Sequence, residues 1–430
     1  MANILYLVHR LPYPPNKGDK VRSYHLLRHL AARHRVYLGT FVDDPDDWQH
    51  VDHVRSLCTD VHAVALPPLR AKLASLRGLL AGEALSLPFY RAASLRRWVR
   101  QTAAATRLDA AVVFSSPMAQ YVESAVLRGV ATGRTAGTEQ APELPMMVDF
   151  VDVDSAKWSD YAKAHAWPLS WLYRREGLQL LAFERAAAER ARCSFFVTDQ
   201  EVALFRQLTP ACQAPVEALC NGVDADFFAP DPARLSPFPD SQIPLVFTGA
   251  MDYWPNIDAV TWFVAEALPA LRRTWPQLHF YIVGRSPTPA VKALAAGGVS
   301  VTVTGTVADV RPYLQYAAAV VAPLRLARGI QNKVLEAMAM ARPVVAASCC
   351  VEVINACVGK ELLGAERADD FVHQISGLLL DPACAARIGQ AGRARVLSSY
   401  SWNAQLSGID RHLDEILGSA RARAQAQASP

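Results

Sequence analysis

The sequence predicts an α/β fold, two Rossmann-like doubly wound domains facing each other across a cleft, and three observations lead there. The chain has 430 residues, too many for one core, so two domains of about 200 residues each are expected. Its composition, 51% hydrophobic and 20% charged, is that of a globular protein, and no apolar run reaches the roughly 18 residues of a membrane span. Short runs of small, β-branched and aliphatic residues alternate with helical periodicity twice along the chain, as parallel strands under covering helices require.

The first domain is expected over residues 1–207. Asn3 to Val8 reads as a buried strand followed at once by His9, Arg10 and prolines, so it is no signal peptide and a cytoplasmic protein is expected. A loop containing Gly18 and Asp19 precedes a helix over Val21 to Arg33, with Lys17, Lys20 and Arg22 adding charge to what would be a phosphate cradle. One glycine there is a weak signal, neither GxGxxG nor a Walker loop. Further strands are Val36 to Phe41, Val61 to Leu66, Ala110 to Phe114, Met147 to Val151 and Ser194 to Thr198. A helix is expected after Ser115-Ser116-Pro117, through Leu127, and another over Tyr173 to Arg192.

The second domain is expected over 208–400. Past the Pro-rich connector Ser236 to Pro244 the alternation restarts with strand Leu245 to Thr248, helix Asp258 to Thr274, strand Leu278 to Val283, helix Thr288 to Ala296, strand Val299 to Val303 and helix Asp309 to Tyr316. Ala317 to Pro323 and Pro343 to Ala347 are two more strands. A helix over 401–418 is amphipathic enough to pack back across both domains, and the tail 419–430 reads as disordered.

Between those last two strands lies the stretch Arg325 to Met340. Gly329 permits a sharp turn, and a helix starting near Gln331 or Asn332 presents free backbone N–H groups and the positive end of its dipole, which suits a phosphate. Lys333 and Glu336 fall three apart on one face, with Leu335, Met338 and Ala339 left for the core. A cation for phosphate and a carboxylate for ribose hydroxyls is one reading; an ordinary helix-surface pair is the other.

Net charge is only +4, but it is uneven. From Val61 to Arg107 there are eight Arg and Lys against the single acid Glu83. The same segment carries Leu73, Leu76, Leu79, Leu80, Leu85, Leu87, Phe89, Leu95 and Trp98, so Arg70 to Arg107 reads either as a basic amphipathic surface for an anionic membrane or as the solvated face of a normal domain. Nucleic acid is disfavoured because no recognised motif accompanies the charge. The eight cysteines form no CxxC and no metal spacing, as reduced packing residues would.

Asp152-Val-Asp154 has the DxD form that holds a metal and a diphosphate in some transferases. Asp44-Pro-Asp46 and Asp224-Ala-Asp226 match equally well, as chance allows among 25 aspartates, so the motif alone carries little weight. Asp152 or Asp154 is a candidate base or sugar-orienting group; the alternatives are a network with Lys157 or a helix cap from Asp154 or Ser155. His9 and Ser115-Ser116 border the expected ligand edge as catalysts or as scaffold residues.

Several stretches together resemble one family. Asn221-Gly-Val-Asp224 with Phe227-Phe228 and Pro230, Phe247 to Asp258, Val283-Gly-Arg285, Thr304 to Arg311 and Gly329 to Met338 are similar to the carboxyl half of the retaining family-4 glycosyltransferases of GT-B architecture. Pro14 to Leu27 and Asp152 to Ser155 extend the resemblance toward a subgroup of exopolysaccharide sugar transferases associated with PEP-CTERM/exosortase systems. The resemblance implies sugar transfer from a nucleotide-sugar co-substrate, with retention, with no bound metal and no other cofactor. Glu336 matches the second Glu of the family's E-x7-E motif, which holds the ribose. Gly329, Ile330, Gln331 and Asn332 match the segment that meets the diphosphate and donor sugar, and Gly18, with Asp19 beside it, matches the loop over the phosphates.

The chain departs from that pattern twice. Arg328 stands where the first Glu is common, and the Arg and Lys that often follow the first strand of the second domain are missing from Gly249 to Asn256. Arg328 and Lys333, with Arg285 or Arg325, are therefore expected to neutralise the leaving diphosphate. The expected acceptor is a polyprenyl-diphosphate-linked glycan at the inner membrane face, with no nucleic-acid partner. The alternatives are a nucleotide-sugar epimerase and a non-catalytic nucleotide-sugar-binding scaffold.

Overall fold

A computed structural model describes residues 1–15, 17–123, 144–296, 300–326 and 330–428. The chain divides into two compact units, one of residues 1–221 with 405–430 and one of residues 222–404. Each is built on a parallel sheet.

In the first unit the strands are β1 (Asn3–Val8), β2 (Arg35–Val42), β3 (Asp60–Ala65), β4 (Ala110–Phe114), β5 (Met146–Val151), β6 (Cys193–Phe196) and β7 (Val216–Ala218), in the order β3-β2-β1-β4-β5-β6-β7. Every β4 residue is buried and only the first of β1 is not, which is why these runs read as continuously apolar in the sequence. β7 adds beside β6 through Ser194 and Val216, so this sheet continues past residue 207. The second unit repeats the plan with β8 (Ile243–Thr248), β9 (Leu278–Val283), β10 (Val301–Gly305), β11 (Ala319–Ala322), β12 (Val344–Ala347) and β13 (Leu363–Ala365), ordered β10-β9-β8-β11-β12-β13. In both sheets the order reverses beside the first strand, between β1 and β4 and between β8 and β11. Ligands of such sheets bind outside the strand C-termini at this reversal.

Helix starts follow local chemistry. Thr198 caps Asp199–Leu208 by accepting from Glu201 N, and Asp381 caps Pro382–Arg395 by accepting from Cys384 N. The last helix runs Trp402–Ala428, through the stretch expected to be disordered. Leu406, Ile409, Leu413 and Ile416 bury one face of it, each contributing about 1.5–3 kcal/mol. After β4 the chain makes a 3₁₀ turn, Ser116–Tyr121, where a longer helix was expected; residues 124–143 lie outside the described ones.

The basic segment needs correction. Leu95 and Val99, on helix Ala93–Ala105, and Leu87 are buried in the first unit, and a Cβ on Gly39 of β2 would lie 2.8 Å from Leu95. The apolar face of that helix covers the sheet and is not free to meet a membrane. Leu69, Leu73, Leu76 and Leu80, over helices Pro68–Ser75 and Arg77–Ala81, are the exposed leucines of the segment. Among the described residues no helix is long and apolar enough to cross a membrane.

Candidate functional site

The second unit's reversal point carries the stretch singled out in the sequence. The chain leaves β8 at Gly249 and β9 at Gly284, and the two loops touch. A Cβ on Gly284 would lie 1.6 Å from the Gly249 carbonyl oxygen, so only glycine fits there. Gly249 N donates to Val283 O at 3.0 Å and Met251 N to Arg285 O at 2.8 Å, which continues the pairing past the strand ends.

Helix Asn332–Ala339 faces these loops. Val334, Leu335, Ala337, Met338 and Ala339 are buried, as the spacing predicts, and no side chain caps its N-terminus. Its opposite face carries Lys333, whose ammonium donates to Asn256 Oδ1 at 2.5 Å and lies 4.3 Å from the Phe247 ring centroid. A Cβ on Gly249 would come within 3.1 Å of that nitrogen. Asn256 is itself buried and held by a 2.9 Å bond from Nδ2 to Ala250 O, so its oxygen is fixed toward the lysine. Burial pushes the Lys333 pKa down to about 8, with Cys350 and Glu336 opposing.

Glu336 stands three residues on, half-buried. Burial pushes its carboxyl up to about 7, with Lys333 opposing. Among the described residues its carboxylate accepts no hydrogen bond. Both side chains are half-buried beside a helix start that no side chain caps.

The other candidates divide. Ile330 and Gln331 are half-buried at the approach to the helix and Asn332 is exposed on its first turn. Arg285 is exposed on the loop after β9. Arg325 forms a two-pronged ion pair with Asp258, which already occupies its charge. Arg328 and Gly329 lie outside the described residues.

In the first unit the charged candidates have partners. Gly18 opens helix Gly18–Ala31. Asp19 accepts from Arg10 at 2.7 Å and lies 3.3 Å from His9 Nε2; burial raises its pKa, but the His9 bond and the Arg10 charge outweigh it and the net shift is downward. Lys20 and Arg22 do not line a phosphate cradle. Lys20 is buried against Asp47 at 2.5 Å. Arg22 is buried in a paired contact with Asp149 at 2.8 and 3.0 Å, and donates to Leu219 O and Asn221 Oδ1. Asp152 and Asp154 both bind Lys157, at 2.7 and 3.1 Å, the network that competed with a catalytic role. No side chain caps helix Asp154–Ala164, whose cap position is Val153.

Two residues at this edge have strained backbone: Ser115 after β4 has φ +77° and Val151 at the end of β5 has φ +70°, a region unfavourable for a β-branched side chain. Glu184, which the sequence gave no reason to single out, lies fully buried against Ser116 and Ser155. Its carboxyl accepts from Ser116 Oγ at 3.1 Å and Ser155 Oγ at 2.6 Å, and burial pushes its pKa up to about 8. Cys193, Glu217 and His412 bring three possible metal ligands within 4.8 Å of one another. Glu217 is already held by Arg411 at 2.6 Å, and burial pushes the Cys193 thiol up to about 12.

Residues 242–381, which contain Lys333, Asn256 and Glu336, match the family model described as glycosyl transferases group 1. No curated protein matches the chain. Solved structures of similar fold include sucrose-phosphate synthase from Thermosynechococcus elongatus, at 19% identity over 97% of this chain and 100% of that one with TM-score 0.58. Anabaena HepE in complex with UDP-glucose gives 16% over 96% and 100%, with TM-score 0.55. WaaG, a glycosyltransferase involved in lipopolysaccharide biosynthesis, gives 17% over 96% and 100%, with TM-score 0.50. The fold is that of the GT-B glycosyltransferases.

Proposed function

We propose that the chain is a retaining glycosyltransferase that moves a sugar from a nucleotide-diphosphate sugar to a lipid-linked glycan acceptor. The observation that carries this is the Lys333, Asn256 and Glu336 arrangement at the reversal point of the second sheet, inside the segment that matches a glycosyltransferase family. The first-turn N–H groups of helix Asn332–Ala339 and the Lys333 ammonium would meet the diphosphate, and the Glu336 carboxylate would accept from the ribose hydroxyls. As the donor bond breaks, negative charge grows on the leaving diphosphate, and a preorganised ammonium at that point lowers the barrier. Lys333, with Arg328, would supply the charge that other transferases draw from a metal ion. The solved complex of Anabaena HepE with UDP-glucose supports a nucleotide-sugar donor.

In this reading the leaving phosphate takes the acceptor proton, and Asp152 and Asp154 orient the acceptor side without serving as a base. The acceptor is a polyprenyl-diphosphate-linked glycan of exopolysaccharide synthesis, reached at the cytoplasmic membrane face through the basic segment Arg70 to Arg107. The resemblance to PEP-CTERM-associated transferases supports this acceptor class.

The test is a screen of UDP-, GDP- and dTDP-sugars against membrane lipid extract, with mass spectrometry of the lipid product and NMR of its anomeric proton. Transfer that needs the extract and retains configuration is expected. Conversion of the donor without extract would replace the reading with epimerisation, and binding without turnover would replace it with a scaffold.

A further inference from the structure

The first unit carries an open pocket of about 500 Å³ lined by Arg77, Arg91, Arg96, Arg97 and Arg100 with Ala74, Pro88 and Ala93. Arg91 is committed, through bonds of 2.7 and 2.8 Å to Glu83. Among the described residues the other four have no acidic partner, and Arg96 Nε is buried without a hydrogen-bond partner. Grouping unpaired guanidinium ions in one concavity is electrostatically costly unless an anion sits among them. The planar fork of arginine suits the oxygens of a phosphate.

A second observation lies on the same helices. Leu69, Leu73, Leu76 and Leu80 are 78%, 70%, 49% and 94% exposed, and their spacing of four, three and four puts them on one helical face. Leu76 keeps helical backbone, φ −59° and ψ −22°, so the stripe passes unbroken from Pro68–Ser75 into Arg77–Ala81. Ala74 and Arg77 line the pocket from within this stretch, so the apolar stripe and the basic pocket adjoin. Four leucines of this exposure have no structural use in water. A nucleic acid would use the arginines and leave the leucines idle; a phospholipid leaflet uses both, its headgroup phosphate in the pocket and the leucines in the acyl boundary.

We propose that this arginine pocket and leucine stripe form a docking site for an anionic phospholipid surface, with one headgroup phosphate held among Arg77, Arg96, Arg97 and Arg100. The proposal deepens the membrane part of the function above and rests on it, but not on the donor assignment. It moves the apolar part of the lipid contact from helix Ala93–Ala105, whose apolar face is buried, to helices Pro68–Ser75 and Arg77–Ala81.

The full chain is sedimented with phosphatidylglycerol vesicles, with phosphatidylcholine vesicles and with a single-stranded oligonucleotide, and UDP affinity is measured by titration calorimetry. Binding to phosphatidylglycerol alone is expected. Combined Arg96→Ala, Arg97→Ala and Arg100→Ala should weaken it by roughly tenfold or more, and combined Leu73→Ser, Leu76→Ser and Leu80→Ser should abolish sedimentation, with UDP affinity retained by both. Undiminished vesicle binding by the arginine variant would overturn the pocket while leaving membrane docking intact. Wild-type protein that ignores both vesicles would overturn both. Oligonucleotide binding that needs the arginines and not the leucines would assign the surface to nucleic acid, and inorganic phosphate bound through the arginines by a wild-type chain that ignores both vesicles would assign it to a free anion.

Discussion

Lys333 and Asn256 meet at 2.5 Å, and this bond ties the helix carrying Glu336 to the first turn of helix Trp254–Trp262, which follows the first strand of its sheet. Lys333→Ala should lower turnover by about 10²-fold or more, the scale of losing a preorganised donor. Asn256→Ala, which releases the ammonium and also the Ala250 carbonyl from their partner, should cost about tenfold, the worth of one hydrogen bond to a charged group. Steady-state kinetics with the donor identified by the screen checks both, and equal rates in Lys333→Ala and wild type would remove the lysine from the mechanism.

The same helix sets a pH window. Glu336 has its pKa pushed up to about 7 and Lys333 its pKa pushed down to about 8, so the carboxylate and the ammonium coexist most fully between those values. A bell-shaped kcat/KM profile is expected, rising through about 7 and falling through about 8, its limbs belonging to the pair and not to either residue alone. Glu336→Gln should raise the donor KM and flatten the acid limb. A profile flat from pH 6 to 9 in wild type would show that neither group's protonation matters to binding or transfer.

Glu184 predicts a stability effect in the first unit. Its pKa is raised by burial from the ordinary carboxyl range to about 8. The folded state therefore holds a proton that the unfolded chain has already lost. Its contribution is full below the unfolded pKa, declines above it and is lost as pH passes through about 8. Thermal melts from pH 5 to 9 should show Tm falling with pH in wild type, and Glu184→Gln, neutral throughout, should reduce that slope. Parallel melting curves for the two proteins would argue that Glu184 is ionised in the fold.

Arg22 and Asp149 form a buried ion pair whose remaining donors reach Leu219 O and Asn221 Oδ1. Removing one member leaves the other charge stranded, so Arg22→Met or Asp149→Leu should each cost about 3–5 kcal/mol in urea denaturation, and the double variant much less than their sum. Additive losses would mean that the two residues act separately.

The sequence reading succeeded where periodicity and burial are the same fact. The spacing of Leu335, Met338 and Ala339 announced the helix that bears Lys333 and Glu336, and the unbroken apolar run Ala110 to Phe114 announced a central strand. It failed where a charge had to choose a partner far along the chain. Lys20 and Arg22 read as phosphate ligands because they follow a glycine loop, but their partners stand 27 and 127 residues away, and no local pattern records that. Asn256 was missed as the partner of Lys333 for the same reason, across 77 residues. The basic segment misled differently. Leu95 and Val99 repeat with a helical period whether a sheet or a lipid covers them, and only the tertiary fold separates that helix from the leucines at 73, 76 and 80.

Helix Trp402–Ala428 returns to the unit that holds residues 1–221, past the whole of the second unit in the sequence. Asp410 meets His29 at 2.9 Å and Arg33 at 2.7 Å, and Arg411 meets Glu217 at 2.6 Å. During synthesis this unit emerges from the ribosome lacking one of its own helices, and it stays open there while roughly 180 intervening residues are translated, about 9–36 s at cellular elongation rates. A nascent chain stalled before Leu406 would therefore expose apolar surface in a unit whose strands had all been made.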